Sequence, residues 1–322
     1  MLTFFSNWNS WLAKHMFYVV LSALFFGFIT PVETTKFWSL VATLSFTYMT
    51  FVSSLETSLK DFFRTLSRPW INIWMLLLIH GVMPLIAYLI GLIFYPDNEY
   101  IRLGFVIGAS IPIGVTSLIW SSMLGGDVPL SMVAVTLDTL ISPLLLPAFI
   151  ALVAGKSIQI DTMQLLVGLF WMITIPSLLG MVVHDFTKGA VDKYATSIGG
   201  FFSKIAIFLV VFINASAIAP EIKWDHAIIK LLLVILIVSV SGYTLGFLGS
   251  FILKGHQRDR MITMIYGVGM RNNSLGLILA LTYFPPAVAM PVTLSMLYQQ
   301  PLAALIASLL KQKQPAPKEQ GC

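Results

Sequence analysis

Tyr266-Gly-Val-Gly-Met-Arg-Asn-Asn-Ser-Leu-Gly276 is the stretch on which the reading of this chain turns. It lies within an apolar run from about Met261 to Tyr283, long enough at about 1.5 Å per residue to cross a bilayer. Glycine and asparagine are poor helix formers, so the composition predicts a break near Gly267–Asn273, with Gly267 and Gly269 as breaking residues. Lipid cannot satisfy unwound backbone, so a break at this depth must face protein or a water-filled cavity. Arg271 costs about 2.5–3.5 kcal/mol at mid-membrane unless it is paired or wetted. A broken span with a buried cation reads as a binding site. The plainer alternative is a packing glycine motif with a structural arginine.

Composition sets the solvent. Hydrophobic residues make up 57% and charged residues 10% of 322 positions, which is the profile of an integral membrane protein. The apolar segments exceed strand length and do not alternate, so they read as helices rather than a barrel. Ten spans are expected: 12–30, 37–55, 70–93, 101–124, 129–153, 163–183, 198–218, 227–253, the opening stretch, and 287–310. Glu56–Arg68 suits a short amphipathic interface helix, and the tail 311–322 reads as disordered. Residues 1–30 have no convincing small-residue cleavage site and read as a cytoplasmic start plus the first span. The single cysteine, Cys322, excludes an intramolecular disulfide.

Net charge +5 needs no nucleic-acid partner, because the basic residues cluster in short loops. Lys14, Lys60, Arg64, Arg68, Lys188, Lys193, Lys204, Lys254, Arg258, Arg260, Lys311, Lys313 and Lys318 fall on one side. Lys36, Arg102, Lys156, Lys223 and Lys230 fall on the other. The positive-inside rule then places both termini in the cytoplasm of a multi-pass inner (plasma) membrane protein.

The chain also reads as duplicated. A shift of about 157 residues lays the interrupted span containing Ser110-Ile-Pro-Ile-Gly114 onto Gly267–Arg271, with Pro112 and Gly114 as its helix breakers. Five spans per repeat is odd, so the halves (about 1–155 and 156–310) must have opposite topology. Paired discontinuous helices in inverted repeats are the sequence pointer to a secondary-transporter site.

Three titratable groups fall near the centre of spans: His80, Asp138 and Arg271. Asp138 shares a helical stripe with Ser131 and Ser142, and as the acid at comparable depth it is the expected partner of Arg271. That pair is either a charge switch for an anion or proton, or a structural ion pair. His80 could relay protons or simply pack through a hydrogen bond. Ser110, Thr116, Ser117, Asn272, Asn273 and Ser274 supply polar groups and half-helix termini at the two breaks. The sequence has no metal-ligand spacing, Walker loop, GxSxG or catalytic Cys/His arrangement, so no enzyme and no cofactor are expected.

Several of these segments together resemble the bile acid:sodium symporter family over nearly the whole chain. They are Gly108-Ala-Ser-Ile-Pro-Ile-Gly-Val-Thr-Ser117, Gly126-Asp-Val-Pro-Leu-Ser131, Thr139–Pro147, His80-Gly-Val-Met-Pro84, Ser-Arg-Pro at 67–69, and Gly269-Met-Arg-Asn-Asn-Ser-Leu-Gly276. The resemblance implies a ten-helix membrane domain with panel helices 1, 2, 6 and 7 and core helices 3–5 and 8–10. Helices 4 and 9 would be crossed and broken, with alternating access for organic anions driven by two sodium ions. Ser117, Ser131 and Asn272 match the family's sodium-site pattern. Gly267 stands where members carry Glu, Arg271 where they carry Gln, Leu118 where they carry Asn, Val135 where they carry Thr, and His80 where they carry Gln. Hard cations need oxygen ligands, so Arg271 reads as a built-in cation. The expected function is secondary transport of a small organic anion (bile-acid, keto-acid or other organic-acid type) by alternating access, with sodium the family's default coupling ion but proton coupling, or none, expected for this chain. A non-transporting membrane sensor or assembly subunit on the same fold is the alternative.

Overall fold

The computed structural model describes residues 2–30, 32, 35–59, 69–154, 161–221, 226–253 and 257–312, and the regular elements among them are all helices. The first half holds α1 (Leu2–Lys14), α2 (Met16–Ile29), α3 (Lys36–Ser54), α4 (Pro69–Leu77), α5 (Met83–Phe94), α6 (Glu99–Ser110), α7 (Thr116–Met123) and α8 (Val128–Ala154). The second half holds α9 (Thr162–Leu169), α10 (Ile175–Thr187), α11 (Asp192–Tyr194), α12 (Gly200–Ile218), α13 (His226–Ser250), α14 (Arg258–Gly269), α15 (Asn273–Tyr283) and α16 (Pro286–Gln312). Single π-turns at Leu78–Val82, Phe170–Thr174 and Ala195–Gly199 join α4 to α5, α9 to α10 and α11 to α12.

Six of these helical runs are long and apolar enough to cross a membrane, or seven if bent α1–α2 counts as one. This is fewer than the ten expected. Two of the ten are split into halves too short to span alone, α6/α7 and α14/α15. The 19-residue α3 carries Ser39, Thr43, Ser45, Thr47, Thr50, Ser53 and Ser54, which dilute its apolarity. The first span also differs from the expected 12–30. Helix starts at Leu2 and turns by 75° between α1 and α2. The aromatic side of α1 holds it in place, with Phe5 packed on Phe201 at 5.3 Å and Asn9 Nδ2 donating to the Thr196 carbonyl at 2.6 Å. Residues 60–68 of the expected interface helix and 313–322 of the expected tail lie outside the described residues, and Lys311 and Gln312 continue α16.

Each interruption has a local cause. Pro112 disfavours helical backbone in the residue before it, and Ile111 is extended (φ −64°, ψ 152°), so α6 stops at Ser110. In the second half Met270 is extended (φ −107°, ψ 125°), and Asn272 caps α15 by accepting from the Leu275 N–H. The break is therefore Met270–Asn272, later than Gly267 and Gly269, which remain helical. Those two glycines serve close packing instead. A Cβ on Gly267 would lie 2.8 Å from the Met75 sulfur, and one on Gly269 would strike the Tyr243 ring.

The two breaks meet. Ile113 and Arg271 form an antiparallel backbone bridge, with Gly114 N–H donating to the Met270 carbonyl at 3.1 Å and Asn272 N–H to the Pro112 carbonyl at 2.8 Å. Unwound backbone at the core of an apolar protein is thus satisfied by the other break. Gly114 makes the approach possible, because a Cβ there would sit 2.8 Å from the Arg271 carbonyl oxygen. Around the crossing, α13 packs on α14 and α16, α6 packs on α5, α8 and α16, and α14 packs on α7 and α8. On the other side of the molecule α12 packs on α2 and α3, and α3 on α10.

Candidate functional site at the crossed breaks

Four half-helix ends converge on the crossing: the C-termini of α6 and α14 and the N-termini of α7 and α15. Their free carbonyls and N–H groups bring partial charges of both signs to one place. Three charged or titratable side chains join them, and all are buried: His80, Asp138 and Arg271.

Asp138 projects from the middle of α8 and is fully enclosed. One carboxylate oxygen accepts the Ile113 N–H at 2.6 Å, satisfying a donor that the broken helix leaves free. The other is bonded to Nε2 of His80, and the Ser142 hydroxyl leans on it at 3.4 Å while donating to the Asp138 carbonyl. His80 sits in the π-turn between α4 and α5, a helix irregularity that re-aims the side chains it carries. Its Nδ1 is buried and has no hydrogen-bond partner.

The expected Asp138–Arg271 ion pair is not formed. Among the described residues the ion pairs are His80–Asp138 and His184–Asp192. Both oxygens of Asp138 are already engaged by donors from the first break and the π-turn. Arg271 is anchored by its backbone instead: its carbonyl accepts from Gln299 Nε2 at 2.6 Å. Gln299 in turn accepts from Asn273 Nδ2 at 3.0 Å. The terminal nitrogens of Arg271, Nη1 and Nη2, are both buried without a hydrogen-bond partner.

Arg271 lines a cavity of about 60 Å³ beside the crossing. Asn273, Gln299, Ser239, Ser295 and Tyr243 contribute polar lining, and Met83, Phe105, Ile235, Val238 and Pro291 apolar lining. A guanidinium with a free fork, amide side chains and an apolar wall make a setting for a carboxylate-bearing molecule.

The other expected residues are distributed unevenly. Asn272 and Asn273 are at the crossing, as helix cap and as partner of Gln299. Ser110 is fully buried at the end of α6, with an unpartnered hydroxyl. Thr116, Ser117 and Ser274 stand in the first turns of α7 and α15, where Ser117 N–H donates to the Gly114 carbonyl. Ser131 does not join Asp138. Its hydroxyl bonds Ser121 at 2.9 Å and Thr263 at 3.2 Å, a separate cluster that ties α8 to α7 and α14. Gln299 and Tyr243 were missed in the sequence. The signal for Gln299 was the polar pair Gln299-Gln300 ahead of Pro301 inside an apolar span. Tyr243 had no signal beyond being an aromatic residue among many.

Crossed broken helices, a buried charged site and several membrane-crossing helices define a polytopic membrane protein of the solute-carrier kind. The chain belongs to the sodium bile acid symporter family, whose model matches residues 43–224. It is 34% identical over 293 residues to a protein named Uncharacterized protein YbaS of Bacillus subtilis, covering 91% of this chain and 94% of that one. It is 25% identical to the Uncharacterized sodium-dependent transporter YocS of the same organism, covering 82% of this chain and 80% of that one. It is 28% identical to the Ileal sodium/bile acid cotransporter of Homo sapiens, covering 81% and 74%.

Proposed function

We propose that this protein is a secondary transporter that carries a small organic anion by alternating access, with the anion held at Arg271 beside the crossed breaks. The observation that carries this reading is the buried guanidinium whose two terminal nitrogens lack partners and which lines a cavity. Leaving such a charge unsatisfied is costly, and an anionic ligand is the natural complement. Asn273 and Gln299 are the proposed neighbours of the anion. His80 and Asp138 brace the first break, and Ser110, Thr116, Ser117 and Ser274 are proposed to border the path at the half-helix ends.

Two inverted five-helix repeats in a ten-helix membrane domain are proposed as the scaffold. Support comes from the element boundaries. Moved by about 157 positions, α6 falls on 256–267 against α14 (Arg258–Gly269), and α8 falls on 285–311 against α16 (Pro286–Gln312). The run from α4 to α5 falls on 226–251 against α13 (His226–Ser250). The packing of α2, α3, α10 and α12 on one side and of α5–α8 with α13–α16 on the other supports a panel and a core that move against each other. Both termini are proposed to be cytoplasmic, in the inner membrane.

Relatives bear names that specify sodium. Here Leu118, Val135 and Gly267 offer no side-chain oxygen and Arg271 adds a positive charge, so proton coupling or uncoupled transport is proposed over sodium symport. The test is counterflow in proteoliposomes against a panel of organic acids, with and without sodium and with and without a pH gradient. Exchange of at least one acid is the expected result. A protein that binds an acid but never moves it would instead be a sensor.

A further inference from the structure

Helix α1 carries a single charged residue, Lys14, and turns by 75° from the course of α2. With α2 running through the bilayer, a helix at that angle lies close to the membrane plane. At about 3.6 residues per turn the side chains of α1 sort into three stripes. Leu2, Phe5, Asn9 and Leu12 form the first and are partly buried, with Phe5 packed on Phe201 and Asn9 bonded to the Thr196 carbonyl. Beside it run Phe4, Trp8 and Trp11, which are 58%, 45% and 51% exposed. Their rings touch one another in sequence, at 6.2 Å and then 5.8 Å between centroids. The remaining side carries Thr3, Ser6, Asn7, Ser10 and Lys14, all exposed.

This order of faces selects one environment. Indole rings join an apolar body to a polar N–H and favour the headgroup level of a bilayer, while hydroxyls, amides and an ammonium reach for water. A helix with protein on one side, aromatic rings on the next and polar groups on the third suits the boundary between lipid and water. Crossing suits it poorly. Its 13 residues span about 20 Å, short of the roughly 30 Å of hydrocarbon, and Ser6, Asn7, Asn9 and Ser10 occupy its middle. The aromatic stripe is also continuous with a lipid-facing surface. Trp11 contacts the His15 ring and His15 contacts Tyr18, beyond which α2 exposes Leu21, Phe25 and Ile29 along one side.

We infer that α1 is an interfacial anchor, with the Phe4–Trp8–Trp11 stripe seated about 5–10 Å into the boundary between headgroups and acyl chains and the Thr3–Ser10–Lys14 side in water. The partner is the bilayer itself, in the leaflet on the side of the N-terminus. Because α1 packs on α2, on the π-turn Ala195–Gly199 and on α12, the anchor grips the side of the molecule built from α2, α3, α10 and α12. This inference stands apart from the anion site and does not depend on it.

The experiment is site-directed spin labelling of the full chain in phosphatidylcholine nanodiscs, which leave both membrane faces open to reagents. Cys322→Ser removes the single cysteine, and one cysteine is then introduced at a time. Phe4→Cys and Trp8→Cys report on the aromatic stripe, Asn7→Cys and Ser10→Cys on the polar stripe, and Phe25→Cys on the exposed side of α2 as a hydrocarbon reference. Power saturation with oxygen, which concentrates among acyl chains, against a water-soluble nickel chelate reads the depth of each label. Labels at positions 4 and 8 should favour oxygen, labels at 7 and 10 should favour the chelate, and the label at 25 should favour oxygen more strongly still. Chelate access at all four positions of α1 overturns the inference, since the helix then lies in water. Oxygen preference at all four, equal to that at 25, overturns it by making α1 half of a bent span. Labels at 4 and 8 shielded from both reagents, with dipolar coupling between chains, put a second copy of the chain on the stripe and overturn it as well. Every substitution falls on an exposed residue, and with two positions per stripe either can stand in for a variant that does not fold.

Discussion

Asp138 is the point at which removing one side chain should do the most damage to the crossing. Its carboxylate accepts the Ile113 N–H at 2.6 Å and the His80 Nε2, and it sits fully enclosed. Asp138→Ala strands two buried donors, each costing about 1–3 kcal/mol when left unsatisfied, so the expected loss is about 2–6 kcal/mol. Asp138→Asn keeps one acceptor oxygen but turns an amide donor toward the second N–H, so about half of that loss is expected. The order wild type, then Asn, then Ala is therefore the signature of this geometry. Equilibrium unfolding of the purified variants in mixed micelles measures it. A cycle with His80→Ala should give a coupling energy of about 0.5–3 kcal/mol, because the two residues share one bond. If Asp138→Ala lies within about 0.5 kcal/mol of wild type, the carboxylate is not holding the break and the reasoning fails.

Other expectations concern the neighbours of this carboxylate. Gly269→Ala should destabilise by about 1–3 kcal/mol, because its Cβ would strike Tyr243, whereas Gly108→Ala meets its nearest atom at 3.8 Å and should stay within about 0.5 kcal/mol; thermal unfolding separates the two. Arg271→Gln should abolish anion binding, and Arg271→Lys should not restore it, since a point charge cannot replace a planar two-pronged donor; direct titration with an acid panel checks both. Replacing sodium with choline at fixed pH should change uptake by less than about twofold, and a steep sigmoidal sodium dependence would show that other oxygens have rebuilt a cation site.

The sequence by itself determined the solvent, the element type and the place of the breaks to within a few residues. Long apolar runs admit only helices in lipid, and proline and asparagine act on the backbone of their immediate neighbours. Pro112 and Asn272 accordingly stopped and restarted helices where local chemistry required. Local chemistry misleads at Gly267 and Gly269, which look like breakers but stay helical and leave room for Met75 and Tyr243 to pack close. Partner choice was beyond it altogether. By depth alone Asp138 and Arg271 look like partners, the acid and the base near the centres of their spans. Only the fold shows that an N–H freed at Ile113 and an imidazole re-aimed by a π-turn reach the carboxylate first. The same tertiary arrangement brings Gln299, far away in the chain, onto the Arg271 carbonyl. Depth along a helix is a property of the sequence, but which donor arrives within hydrogen-bonding distance is set by how whole helices cross.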